Sequence, residues 1–390
     1  MLWQHYVFRR GNGVYDLWDR LFENRPVRLL YIAGRGFDTR VLVVMKQFLR
    51  NLRSSGCRIE KAELVLISFT GYHLSDHLRI QTEANAQALH DFFKDIGTVS
   101  EVTVKASSAG EDDLSASNAL NIGTIRVLER IVDYAHTDII LDVSSLPRVS
   151  YLALMTNILY ELIPDRKAEN PLWANGVNFQ VLVAEDPELD AKIRSEEPSN
   201  DLVVIPGFSS ALNVESFRDW PVVWFPILGE HRVSQLQKIM DSGWIPDFAE
   251  ICPVLPYPSR NPRRADQLLI EYKAPLFDAR STPTTNILYA HESQPFEAYR
   301  QLYRAMDRYR ESMAVIGGCR LLMTPLASKL ITLGAGLACF ETQPIDAAAN
   351  YRVSIPYAEP TRYVVSPGAF EQSRSEISTM LLTGSAYSLT

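Results

Sequence analysis

No two cysteines in this chain stand close enough in sequence to suggest a zinc site or a disulfide framework. Cys57, Cys252, Cys319 and Cys339 are widely spaced, and three lie in apolar runs, which reads as buried reduced thiols. The opening Met1-Leu2-Trp3-Gln4-His5 lacks a basic-then-apolar signal. The longest apolar runs, such as Leu330 to Phe340, are too short and too glycine-bearing to span a bilayer. A cytoplasmic protein with no membrane contact is expected. Positive charge is not in excess: 39 Lys and Arg face 46 Asp and Glu, for a formal net charge of -7. That balance argues against a whole-surface affinity for nucleic acid, although it leaves a local basic cleft open.

Several catalytic signatures are also missing. There is no Walker A lysine loop and no G-x-S-x-G elbow. Gly34-Arg35-Gly36 begins like a dinucleotide fingerprint, but Thr39 stands where a third glycine belongs. His73, Asp76 and His77 could place two imidazoles together, yet no third ligand accompanies them, so no metal is expected and a polar loop is the better reading.

What the chain does have is alternation. Continuous apolar runs at Val27 to Ala33, Leu64 to Phe69, Ile139 to Leu141 and Phe179 to Ala184 read as buried strands, each but the last followed by helical spacing. The acidic, polar stretch Glu185 to Asn200 interrupts the pattern, with Glu196-Glu197-Pro198-Ser199-Asn200 as a linker. The alternation then restarts, with strands at Leu202 to Ile205, Val222 to Phe225, Ile251 to Leu255, Asn286 to Ala290, Arg320 to Thr324 and Tyr351 to Pro356. The expected fold class is α/β, with two Rossmann-like doubly wound, mainly parallel sheets. The expected divisions are an N-terminal helical segment over 1–26, one Rossmann-like domain over 27–195, a second over 201–367, and a C-terminal helix and polar tail over 368–390.

The halves echo one another. Asp142-Val143-Ser144-Ser145-Leu146-Pro147-Arg148 leads from strand to helix, as does Met323-Thr324-Pro325-Leu326-Ala327-Ser328-Lys329, and an ungapped overlay sets Arg148 on Lys329. Duplication and generic Rossmann topology both account for this echo. Ligands of such sheets bind beyond the carboxyl ends of the strands, where helix N-termini favour anions. That rule selects Arg35, Gly36, Arg40, Ser144, Ser145 and Arg148 in the first half. In the second half it selects Arg232, Ser259, Arg260, Arg264, Ser328 and Lys329. Cations, hydroxyls and close backbone approach suit a phosphate, while the same residue types also cap turns in any α/β protein. Asp142 and Glu292 are the candidate catalytic carboxylates, as general base or metal ligand. For Asp142 a turn-capping role competes with that reading.

In the turn Asp142-Val143-Ser144-Ser145-Leu146-Pro147-Arg148 the chain resembles the ligand-sensing Rossmann-like domains of prokaryotic conflict systems, the CARF and SAVED type. The likeness covers about 27–184 and extends to the echo over 202–356; the glycine-rich form of the turn is absent. It implies recognition of a nucleotide or oligonucleotide messenger by a sensor or regulatory subunit in bacterial antiviral defence, often at a dimer interface. The expected function is therefore binding of an anionic nucleotide-type ligand, with no other cofactor expected and with a homodimer or a partner protein around it. Two alternatives stand beside it: a nucleotide-processing hydrolase or transferase using Asp142 or Glu292, and a scaffold subunit of a larger complex.

Overall fold

The computed structural model describes residues 1–70, 72–105, 113–133, 135–212, 217, 219–366, 368–370 and 374–388. These form two compact units, a first drawn from 2–108, 118–197 and 361–390, and a second chiefly from 198–360. In chain order the first unit begins with β1 (Val7–Arg10), α1 (Asn12–Phe22), β2 (Pro26–Arg35), α2 (Arg40–Ser54), β3 (Arg58–Thr70) and α3 (Asp76–Phe93). It continues with β4 (Thr98–Lys105), α4 (Asp113–Asp133), β5 (Asp138–Asp142), α5 (Arg148–Leu162), β6 (Asn178–Glu185) and α6 (Pro187–Lys192). The second sheet is built from β7 (Arg194–Ser209), β8 (Val222–Ile227), β9 (Glu250–Ile251), β10 (Val254–Pro256), β11 (Leu288–Ala290), β12 (Cys319–Pro325) and β13 (Tyr351–Val364). Its helices are α7 (Val233–Asp241), α8 (Arg264–Glu271), α9 (Pro295–Ala314) and α10 (Lys329–Thr342). The chain then returns to the first sheet as β14 (Glu376–Thr383).

The first sheet runs β1-β14-β6-β5-β2-β3-β4 and the second runs β11-β10-β8-β12-β13-β7, with β9 also on β8. From β6 to β4 the first sheet is parallel throughout. Parallel strands are covered on both faces, which is why Val27, Leu29, Leu30, Tyr31, Ile32 and Ala33 are all buried and read as one apolar run. Helix α2 buries Val41, Val44, Met45, Phe48, Leu49 and Leu52, the spacing of a single helical face. Helix α10 is buried nearly all round, which accounts for the apolar run Leu330 to Phe340. Its Gly334 lets α9 approach so closely that a Cβ there would stand 2.2 Å from the Pro295 carbonyl oxygen. Among the described residues, no helix is long and apolar enough to cross a membrane.

Numbered from the first parallel strand, both sheets share the order 3-2-1-4-5: β4-β3-β2-β5-β6 in one and β11-β10-β8-β12-β13 in the other. The topological switch point falls between β2 and β5 and, in the second unit, between β8 and β12.

Three expectations need correction. Where a helix and tail were expected over 368–390, the described residues Glu376–Thr383 form β14, which lies antiparallel between β6 and β1. Its Ser378, Thr379 and Thr383 are fully buried beside Met380, Leu381 and Leu382, so the strand carries neither a polar face nor an alternating pattern. The segment 1–26 is not wholly helical, because β1 pairs with β14 before α1 begins. The stretch Glu196 to Asn200, read as a linker, lies inside β7, the last strand of its sheet, where polar residues are tolerated at an edge.

Candidate ligand site at the carboxyl ends of the strands

In the first unit the crossing from β2 to β5 is held by short polar contacts. The Asp142 carboxylate is fully buried and accepts from the Tyr31 hydroxyl (2.9 Å) and the Ser144 amide (2.9 Å). Burial, then the charge of Asp142, holds the Tyr31 hydroxyl well above its ordinary pKa, so it stays a donor. The Ser144 hydroxyl accepts from the Ala184 amide at the end of β6 (3.0 Å), and the Ser145 hydroxyl donates to the Gly34 carbonyl (2.8 Å). Gly34 and Gly36 permit this closeness: a Cβ would stand 2.8 Å and 3.1 Å, respectively, from the Ser145 carbonyl oxygen. The glycines and serines of this turn therefore tie strand to loop, and Asp142 caps the turn it begins.

The cations of this unit meet carboxylates. Arg40 is only 3% exposed and fork-bonds Asp38 through Nε (3.0 Å) and a terminal nitrogen (2.6 Å), while its other terminal nitrogen reaches Asp190 at 2.8 Å. Burial works against its charge, but Asp38 and Asp190 outweigh burial and hold the guanidinium protonated more firmly than usual. This geometry gives Arg40 a structural role in place of the expected phosphate contact. Arg35 pairs with Glu83 at 2.5 Å and approaches Glu101 at 3.9 Å. Arg148 is the first residue of α5, half-buried behind Pro147.

A returning segment also packs over these strand ends. Tyr363 stacks at a tilt on Phe37, just past β2 (ring centroids 5.6 Å apart), and edge-on against Tyr72, just past β3 (5.4 Å). Phe370 adds a contact to Phe37 at 6.1 Å, and Val365 and Ala369 join Leu78 and Leu189 in a small apolar cluster. Tyr363, Val365, Ala369 and Phe370 thus occupy space that an open crevice would leave to a ligand.

The second unit arranges the same elements differently. Gly229 follows β8 so closely beneath the loop after β12 that a Cβ would meet the Leu326 carbonyl oxygen at 2.2 Å. The Tyr272 hydroxyl donates to the Gly229 carbonyl (2.7 Å), fixing the turn from the side. Arg232 caps the start of α7 and reaches Gln235 (3.3 Å). Ser328 is the N-cap residue of α10 with extended backbone, its hydroxyl makes no cap bond, and its Oγ is buried without a hydrogen-bond partner. Lys329 is the first helical residue of α10. The loops after β8 and β12 are thereby brought together at the switch point.

Beside it, Arg264 at the start of α8 sits between Glu230, in the loop after β8, and Glu292, past the end of β11. The second Glu292 oxygen accepts from the Arg260 amide (2.8 Å). Burial would raise the Glu230 pKa, but hydrogen bonds and charge from Arg264 win and hold it below the usual carboxylate value. Glu292 is therefore engaged at both oxygens and serves the loop as a joint, rather than standing open as a base. The Ser259 hydroxyl donates to the Asn261 carbonyl (2.7 Å), a turn contact.

Among the expected residues the structure brings together Ser144, Ser145 and Gly36 in one unit, and Arg260, Arg264 and Glu292 in the other. The neutralising roles of Asp38, Asp190 and Glu230 went unread. Asp38 and Glu230 each lie three residues past a strand end and were open to the same reading, but Asp190 lies 150 residues from Arg40. Among the described residues no group of three or more His, Cys, Asp or Glu side chains could hold a metal ion.

No family model and no curated protein matches the chain. It is similar to the solved structure of a functionally unknown protein, PA1789 from Pseudomonas aeruginosa PAO1, over 86% of this chain and 93% of that one, at 9% identity and a TM-score of 0.21.

Proposed function

We propose that the protein binds an anionic nucleotide-type ligand at the switch point of its second unit, between the loops that follow β8 and β12, and acts as a sensor or regulatory subunit. The observation that carries this reading is the Ser328 Oγ, buried without a hydrogen-bond partner at the start of a fourteen-residue helix. A buried hydroxyl left unmatched is costly, and a ligand oxygen would match it. Arg232 stands at the N-cap of α7 and Lys329 begins α10, the helices that follow the paired strands β8 and β12, and the free N–H groups and dipoles at both starts favour an anion. Gly229 lets the loop after β12 close onto the end of β8, which brings Ser328 and Lys329 to the switch point. The resemblance to CARF and SAVED sensing domains suits a messenger nucleotide and a role in antiviral defence. With Arg40, Ser144 and Ser145 committed to internal contacts, that role passes to the second unit.

The test is mass spectrometry of small molecules retained from a mixed nucleotide pool, with binding then measured for the retained compound. Ser328→Ala and Lys329→Ala should each weaken it, the lysine change by about 1.5–3 kcal/mol for a lost charged contact. Retention that both variants leave untouched defeats this placement. Conversion of a pool member to product would make the protein an enzyme, and no retention at all would favour a scaffold.

A further inference from the structure

We propose that Ser75 and His77 form a nucleophile–base pair that hydrolyses small esters in a cavity of the first unit, apart from the ligand site described above. The cavity measures about 280 Å³ and is walled by Leu74, Tyr363 and Val365, with His73 and Arg362 at its polar side. Small-molecule pockets start near 300 Å³, so the space suits a short acyl group. Ser75 and His77 both line it and are both solvent-accessible.

The polarity of the pair follows from its third member. His77 Nε2 lies 3.2 Å from the Val365 carbonyl oxygen, which can only accept, so Nε2 carries the proton. Nδ1 then holds a lone pair, and the Ser75 hydroxyl, 3.0 Å away, is its donor. Hydroxyl, imidazole and an orienting acceptor stand in the sequence that activates a serine. Ser75 occupies the N-cap position of α3 but makes no cap hydrogen bond, so its hydroxyl is given to the imidazole. The first-turn amides of α3 have no intrahelical acceptor and supply donors for a developing oxyanion.

In the step inferred, Ser75 Oγ bonds to the ester carbonyl carbon while its proton passes to His77 Nδ1. The carbon–oxygen bond to the leaving alcohol then breaks, and the alcohol takes that proton. Water next attacks the acyl carbon, giving its proton to Nδ1. The bond to Ser75 Oγ breaks, the proton returns to Oγ, and a carboxylic acid departs.

The probes are a fluorophosphonate, with the labelled peptide mapped by mass spectrometry, and p-nitrophenyl acetate. Labelling at Ser75 is expected, together with ester turnover that Ser75→Ala abolishes and His77→Ala lowers about 100-fold or more. Both positions are exposed, so the variants should melt at the wild-type temperature, which is checked alongside. No label at Ser75, turnover unchanged in Ser75→Ala, or labelling undiminished in His77→Ala each overturns the assignment. Nucleotide retention is not a readout here, so the two proposals fail separately.

Discussion

Replacing Asp142 separates a structural carboxylate from a catalytic one. The Tyr31 hydroxyl and the Ser144 amide, which donate to it, belong to fully buried residues, so Asp142→Ala strands two donors where water cannot replace the lost acceptor. Each orphaned donor costs about 1–3 kcal/mol, so the variant should lose about 2–6 kcal/mol from the first unit. Tyr31→Phe removes one donor from the same carboxylate and should cost about 1.5–3 kcal/mol, the range for a hydrogen bond to a charged group. In the double variant the hydroxyl is no longer stranded, so the losses should fall short of their sum by about 1–3 kcal/mol. Urea unfolding read by pulse proteolysis suits this test, because it follows the first unit through its own fragments even if the two units unfold separately. If Asp142→Ala unfolds within about 0.5 kcal/mol of the wild type, as a surface substitution would, the capping role is wrong. The carboxylate would then be free for chemistry.

The two switch-point glycines should differ in sensitivity. Gly229→Ala drives a Cβ to 2.2 Å from a backbone oxygen, whereas Gly34→Ala meets Ser145 atoms at 2.8 Å and 2.9 Å, one of them a side-chain oxygen that can turn away. By calorimetry Gly229→Ala should lose more than about 2 kcal/mol and Gly34→Ala less; equal losses would mean the loop after β12 yields freely. Thiol titration tests the second core. Burial pushes the Cys252 thiol up to about 11 and the Cys319 thiol up to about 12, and raises Cys339 as well. A disulfide reagent near neutral pH should therefore modify the half-buried Cys57 alone until urea is added; prompt reaction of two or more thiols would contradict that packing.

The parallel core was legible because strands buried on both faces write themselves as continuous apolar runs, and β2 and β8 are such strands. The place of β14 was not. Its partners are β1 and β6, far away in sequence, and its buried Ser378 and Thr379 erase the apolar signal. Positions of the site residues were readable for the same reason as the strands: the rule about carboxyl ends needs only strand ends. Their roles were not readable, since Arg40 as phosphate ligand and Arg40 as the partner of Asp38 and Asp190 have the same local sequence. Only the fold decides which acceptor arrives.

The shared 3-2-1-4-5 order makes the differences between the units informative. In the overlay that sets Arg148 on Lys329, Ser145 meets Leu326 and Pro147 meets Ser328. The first unit closes its switch point with a hydroxyl on the Gly34 carbonyl and starts its helix behind a proline, which has no polar side chain to offer. The second unit closes the corresponding approach with the Leu326 backbone against Gly229, which needs no hydroxyl, and puts one instead at the helix start. A polar group has in effect moved from the joint to the N-cap. At the joint it is satisfied by the protein; at the N-cap, buried in Ser328, it is not. On the proposed reading the two units differ in the hydroxyl offered at the residue before the helix, so Ser328→Ala should weaken binding while Ser145→Ala should not.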